Sequence, residues 1–205
     1  MKSKQIFFTD VHKAELLEVD VPEVQENEVL TDMEYTVVSG GTERANIMGA
    51  ENTGGYVFPK SLGYCGVGRV VKTGAAVKNV AAGDRVLVYH GCHKKYNIRP
   101  EEEITKVEDE KISSLDAAFV IIAAMGLGGV RKLELELGES AMVMGLGLLG
   151  IFAVQFCRLS GAYPVIAADP NPERRALALR GQVRTANLYR ATERLLRSYP
   201  RFRHW

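Results

Sequence analysis

Residues 141–157, AMVMGLGLLGIFAVQFC, decide the fold. The apolar run AMVM predicts a buried strand. Gly145, Gly147 and Gly150 then stand in the spacing G-x-G-x-x-G, and a helical apolar stretch follows. The glycine pattern alone is weak, but between a strand and a helix it becomes specific. Gly145 permits the tight turn, Gly147 lets a phosphate approach the backbone, and Gly150 lets the helix lie close to the strand. A helix opening at Leu148 and Leu149 offers free N–H groups and the positive end of its dipole.

Working downstream, YPVIAAD predicts a second buried strand ending in Asp169, nineteen residues past Gly150. A carboxylate there can accept hydrogen bonds from both hydroxyls of an adenosine ribose, and it repels a 2′-phosphate. Gly145, Leu146, Gly147, Leu148, Leu149, Gly150, Asp169 and Arg174 are therefore the expected dinucleotide site. NAD is favoured over NADP, a preference that Arg174 and Arg175 temper. The alternative is a glycine-rich turn with a helix-capping aspartate. NPERRALAL opens a further helix, with Asn171 as N-cap and Pro172 as its first residue. Strand, helix, strand, helix predicts a parallel sheet with right-handed crossovers.

Upstream, the pattern is different. KQIFF, AELLEVDV, EVLTDMEYTVVS, GVGRVVKTG and DRVLVYH are short strand-like runs separated by turn residues. They predict an antiparallel barrel or sandwich. The period changes at Ser113, where SSLDAAFVIIAAMGLGGVRKLEL predicts one long capped helix. The fold class is α+β, with a β-barrel over 1–112, a linking helix and partial α/β domain over 113–179, and a basic tail over 180–205.

Composition narrows the partners. A net charge of +1 and 46% hydrophobic residues suit a globular protein and argue against nucleic acid or a membrane surface as main partner. The run AAFVIIAAMGLGGV is too short and too glycine-rich for a membrane span, and MKSKQIFFTD turns polar too early for a secretory leader. Cys65, Cys92 and Cys157 are widely spaced, which suits reduced thiols in the cytoplasm. A small-molecule substrate is the expected partner, with self-association through exposed sheet surface as a second prospect.

Four stretches, VVSGGTERANIMG, LGYCGVGRVVKTG, VKNVAAGDRVLV and VMGLGLLG, resemble the medium-chain dehydrogenase/reductase family of the zinc alcohol dehydrogenase type, over roughly residues 5–179. The resemblance implies a GroES-like barrel followed by a Rossmann domain, a nicotinamide cofactor, and hydride transfer to or from a carbonyl carbon. It also places the family's zinc ligands. The cysteine position falls on Gly40, the histidine on Tyr64, the following acid on Cys65, and the third ligand near Ile121. Zinc needs N, S or O donors at about 2.0–2.3 Å, which glycine and isoleucine lack, so no zinc is expected. His90, Cys92, His93 and Cys65 remain as ligand types, but HGCHKK has no recognised structural-zinc spacing. The segment Ser39–Glu43, SGGTE, is similar to a zinc-lacking branch that includes bacteriochlorophyllide-type dehydrogenases.

Without zinc, a hydrogen-bond donor must stabilise the developing alkoxide. The resemblance nominates Tyr64 as that donor, Thr42 as the hydroxyl that relays the alcohol proton, and Glu43 as an orienting group, with Ser39 a weaker donor. Each also has a structural reading. Tyr64 fills volume, Thr42 caps the short helix ERANIMG, Glu43 sits in its first turn, and Cys65 is an inert wall thiol.

After Leu179 the family pattern stops. Residues 180–205 hold seven arginines and one acid, Glu193. The expectation is a family member truncated or frameshifted near residue 179, its parallel sheet limited to two clear strands. The function expected of the family fold is an NAD-linked, zinc-independent dehydrogenase. A non-catalytic remnant or nucleotide-binding partner of a full-length relative, and a zinc-free enoyl or quinone reductase, are the alternatives.

Overall fold

The computed structural model describes residues 1–180 and the backbone of 184–186. The chain divides into two compact units, Met1–Ile121 and Ile122–Trp205.

The first unit runs β1 (Lys2–Asp10), β2 (Lys13–Asp20), β3 (Glu28–Thr36), α1 (Gly40–Ile47), β4 (Lys60–Ser61), β5 (Cys65–Thr73), β6 (Arg85–Tyr89), β7 (Tyr96–Pro100), β8 (Ile104–Lys106) and α2 (Ser114–Ala118). A five-stranded antiparallel sheet has the order β7-β3-β5-β6-β8, and a smaller one the order β2-β1-β4. Strand periodicity places the core. Val86 and Val88, two apart on β6, and Val29 and Met33, four apart on β3, point the same way. With Val70, Val80 and Ile104 they form a buried cluster.

Three strands here escape the sequence pattern. β4 is only two residues, Lys60 and Ser61, paired to β1. β8 buries a single apolar side chain, Ile104, and β7 buries Asn97, which is 1% exposed. Asn97 is satisfied by the Cys92 backbone, accepting from its N–H at 2.9 Å and donating to its carbonyl at 3.1 Å. A polar side chain bonded in this way replaces the apolar alternation by which a strand is read.

The expected long helix is two. Ser113 caps α2 as anticipated, its hydroxyl accepting from Asp116 N–H at 3.1 Å. The Phe119 N–H then turns back to the Asp116 carbonyl at 3.1 Å, a tighter i to i−3 bond that interrupts the helix before α3 (Val120–Arg131). α2 packs on β3 and β5 with Ala117 and Ala118 buried, so the first unit extends past the change of pattern at Ser113.

The second unit alternates β9 (Ala141–Met144), α4 (Leu148–Leu159), β10 (Val165–Ala168), α5 (Pro172–Leu179) and β11 (Arg184–Ala186). Its sheet is parallel, in the order β11-β10-β9. The third strand corrects the expectation of two. Strand pairing is made by backbone amides, so β11 joins β10 although its residues, RTA, carry no apolar run. The rest of the arginine-rich tail lies outside the described residues. Val130, Leu146, Val154, Cys157, Val165 and Ala167 build the core of this unit. α4 stops at Gly161, with φ +86°. α5 begins as expected, the Asn171 side chain accepting from Glu173 N–H at 2.8 Å with Pro172 following. Among the described residues no helix is long and apolar enough to cross a membrane.

A close backbone contact in the first unit is between β3 and β5. A Cβ at Gly68 would stand 2.3 Å from the Asp32 carbonyl oxygen, which is backbone and cannot swing away. Gly68→Ala is expected to cost at least about 2 kcal/mol in urea unfolding. Gly128→Ala in α3, where a Cβ meets nothing, is expected to leave stability unchanged or slightly higher.

Candidate active site and cofactor loop

In the first unit the residues nominated for chemistry gather on α1 and at the start of β5. α1 begins at Gly40, earlier than ERANIMG suggests, with Ser39 as N-cap residue. The Ser39 side chain caps no backbone amide. Its hydroxyl instead meets the Thr42 hydroxyl at 3.2 Å. The helix start is secured from the other direction: Ser39 N–H donates to Glu43 Oε1 at 2.8 Å. Thr42 is therefore an exposed hydroxyl on a fixed turn, while Glu43, 7% exposed, points inward.

Glu43 has a partner fifty residues away that local sequence does not reveal. His93 Nε2 lies 3.0 Å from Glu43 Oε1, and the two side chains are 6% and 8% exposed. His93 Nδ1 lies 2.8 Å from Thr36 Oγ1. An ionised carboxylate only accepts, so the ring hydrogen belongs on Nε2. The structure thus places a basic group, His93, against Glu43. It takes His93 out of the ligand types in HGCHKK and sends His90 elsewhere, to Glu103 at 2.7 Å. Thr36, absent from the sequence nominations, completes the chain.

Tyr64 is half-buried, and its phenol makes no hydrogen bond to another described residue. Its carbonyl accepts from His90 N–H at 2.9 Å, which holds the residue at the mouth of β5. Cys65 follows it into the core at 2% exposure, with its thiol 4.0 Å from the Val37 carbonyl. Burial, reinforced by the negative charge of Glu43, pushes this thiol up to about 11. It stays protonated at neutral pH, as an inert wall residue should.

In the second unit the glycine loop has the form its spacing implies. Gly145 takes φ +89°, and its N–H donates to the Ala168 carbonyl at 2.7 Å. A Cβ at Gly150 would stand 1.9 Å from the Gly145 carbonyl oxygen, so only glycine lets α4 come this close. A Cβ at Gly147 would meet nothing within 4 Å, which leaves open space above the loop. No side chain caps α4. Its first-turn amides are available to an anion. Leu148 and Leu149 are exposed beside them.

Leu146 and Asp169 have other occupations. The Leu146 side chain is 2% exposed in the core, and its N–H donates to Asp169 Oδ2 at 2.7 Å. Asp169 Oδ1 accepts from Asn171 N–H at 2.7 Å, and Arg174 stands 3.7 Å away. The Leu146 N–H, seconded by Asn171 and Arg174, holds the Asp169 carboxyl below the usual carboxylate range against the opposing effect of burial. Arg175 donates to the Asp169 and Pro170 carbonyls at 2.7 and 2.9 Å, so Arg174 is the more exposed of the two arginines.

Comparison with known proteins places this arrangement. Residues 25–133, more than half of the chain, match the model of the alcohol dehydrogenase GroES-like domain. The chain is 24% identical over 214 residues to the uncharacterized zinc-type alcohol dehydrogenase-like protein YdjJ of Escherichia coli, covering 87% of this chain and 60% of that protein. It is 30% identical over 146 residues to the (R,R)-butanediol dehydrogenase of Bacillus subtilis, covering 58% and 42%. A crystal structure of a short chain alcohol dehydrogenase from E. coli CFT073, complexed with NADH, has the same fold, with a TM-score of 0.84 at 16% identity over 96% of this chain and 66% of that one. The chain spans about 60% of the length of the first of these relatives.

Two outcomes follow from the site's electrostatics. A carboxyl held low in the folded state contributes stability that is present above its unfolded value and lost as pH falls through its folded value. The stability difference between the wild type and Asp169→Asn is expected to be about 1–3 kcal/mol at pH 6 and to shrink as pH drops below about 4, measured by urea unfolding across that range. With iodoacetamide at pH 8, Cys92 is expected to alkylate in the folded protein, while Cys65 and the fully buried Cys157 react only after denaturation, as read by peptide mass mapping.

Proposed function

The chain belongs to the alcohol dehydrogenase GroES-like domain family, distantly related to zinc-type alcohol dehydrogenases, and from that premise we propose a cytoplasmic oxidoreductase that moves a hydride between NAD(H) and a carbonyl or alcohol without zinc. The observation that carries this reading is the glycine loop, where only glycine fits at Gly150 while the space over Gly147 stands open.

In this proposal the uncapped amides of α4 at Leu148 and Leu149 hold the pyrophosphate, with Gly145, Gly147 and Gly150 shaping the approach. Leu146 acts through its buried side chain and its amide bond to Asp169, which set the loop in place. Asp169 retains lone pairs beyond the two amide bonds it accepts, and these can take ribose hydroxyls. Arg174 balances its charge from the exposed side. The bound dinucleotide would supply or take up the hydride.

On the substrate side, Tyr64 has an unengaged phenol suited to donate to a developing alkoxide. Thr42, paired with Ser39, is suited to pass the alcohol proton, and Glu43 sets the turn that carries both. The donor chemistry does not fit a zinc ion. Gly40 has no side chain, and Glu43 and His93 are spent on each other. No step here passes through a metal.

NADH binding followed by its fluorescence tests the cofactor. Gly147→Ala is expected to unfold with the wild type, since its Cβ meets nothing, yet to bind NADH at least about tenfold more weakly because that Cβ occupies the phosphate approach. Equal binding by the two proteins overturns the assignment. NADH-linked turnover of a carbonyl panel is expected to be insensitive to EDTA, and inhibition that zinc restores overturns the zinc-free mechanism.

A further inference from the structure

We propose that the buried Glu43–His93 pair is a clamp that positions the hydroxyl-bearing first turn of α1, with His93 acting as a positioning residue through its Nε2 hydrogen.

Desolvation makes a buried polar pair a poor source of stability, since well-packed apolar residues often serve as well. What such a pair can do is specify geometry. Here the geometry is particular. One oxygen, Glu43 Oε1, accepts from both the Ser39 N–H at 2.8 Å and His93 Nε2 at 3.0 Å. Because the Ser39 side chain provides no cap, the start of α1 depends on where Glu43 is held. The Ser39 and Thr42 hydroxyls, 3.2 Å apart, move with that start.

His93 is a fit anchor because it is tied to the rest of the unit at every polar atom. Its N–H donates to the Leu62 carbonyl at 2.8 Å, its carbonyl accepts from Ile6 N–H at 2.9 Å, and Nδ1 meets Thr36 Oγ1 at 2.8 Å. The chain at Gly63 presses on it as well: with φ +108°, a Cβ there would stand 2.8 Å from His93 N. The imidazole is thus referenced to β1, to the end of β3 and to the approach to β5, and it passes that reference to α1.

The effect on turnover rests on the function proposed above; the effect on α1 does not. Two amide isosteres separate the ring nitrogens. Gln at 93 presents an N–H donor near the Nε2 position, and Asn presents one near Nδ1, while both keep the backbone bonds of His93. His93→Gln is expected to retain turnover within about threefold. His93→Asn is expected to lose about 100-fold in kcat, the scale of a misplaced reacting group, with the NADH dissociation constant unchanged. Amide hydrogen exchange at Ser39 and Glu43 is expected to quicken at least about tenfold in His93→Asn, to stay near wild type in His93→Gln, and to leave the β5 amides alone in both. Should the wild type show no turnover, the function proposal falls and the exchange result alone decides the clamp. Equal behaviour of the two variants, or faster exchange spread evenly over the first unit, overturns it.

Discussion

A Cβ at Gly68 would stand 2.3 Å from the Asp32 carbonyl, and one at Gly150 would stand 1.9 Å from the Gly145 carbonyl. In both units, backbone approaches backbone more closely than any side chain allows. In the first unit that approach draws β5 onto β3, the centre of the five-stranded sheet. In the second it seats α4 against the end of β9, so that the helix N-terminus faces open space over Gly147. The apolar clusters add the bulk of the burial around these approaches.

The polar groups complete what the glycines permit. Asp169 spends both carboxylate oxygens on the amides of Leu146 and Asn171, joining the turn after β9 to the turn after β10. Glu43 and His93 play the corresponding part in the first unit, joining α1 to the loop before β7. In each case a buried acid is satisfied by donors from segments distant in sequence, as buried polar groups require. Neither acid is primarily a surface charge; each fixes the backbone of the turn it bonds.

Legibility followed the range of the interaction. β1, β2, β3, β5, β6, β9 and β10 were visible because their side chains alternate or run apolar. The capping of α2 by Ser113 and of α5 by Asn171 was visible because a cap lies within three residues of what it caps. β7 hid behind the buried Asn97, and β11 behind residues with no apolar signal, since backbone pairing does not depend on them. The break at Phe119 was also hidden, because an i to i−3 bond replaces an i to i−4 bond without any breaker residue.

The sequence by itself determined the succession of an antiparallel β unit and a parallel α/β unit, and the glycine loop. These are matters of residue type and short-range spacing. Only the tertiary structure decided that Glu43 pairs with His93 and Thr36, that Leu146 is core, and that the Asp169 oxygens already hold backbone amides. Those pairings span up to fifty-seven residues. They exist because folding places separate segments within 3 Å of one another, and no periodicity along the chain records that.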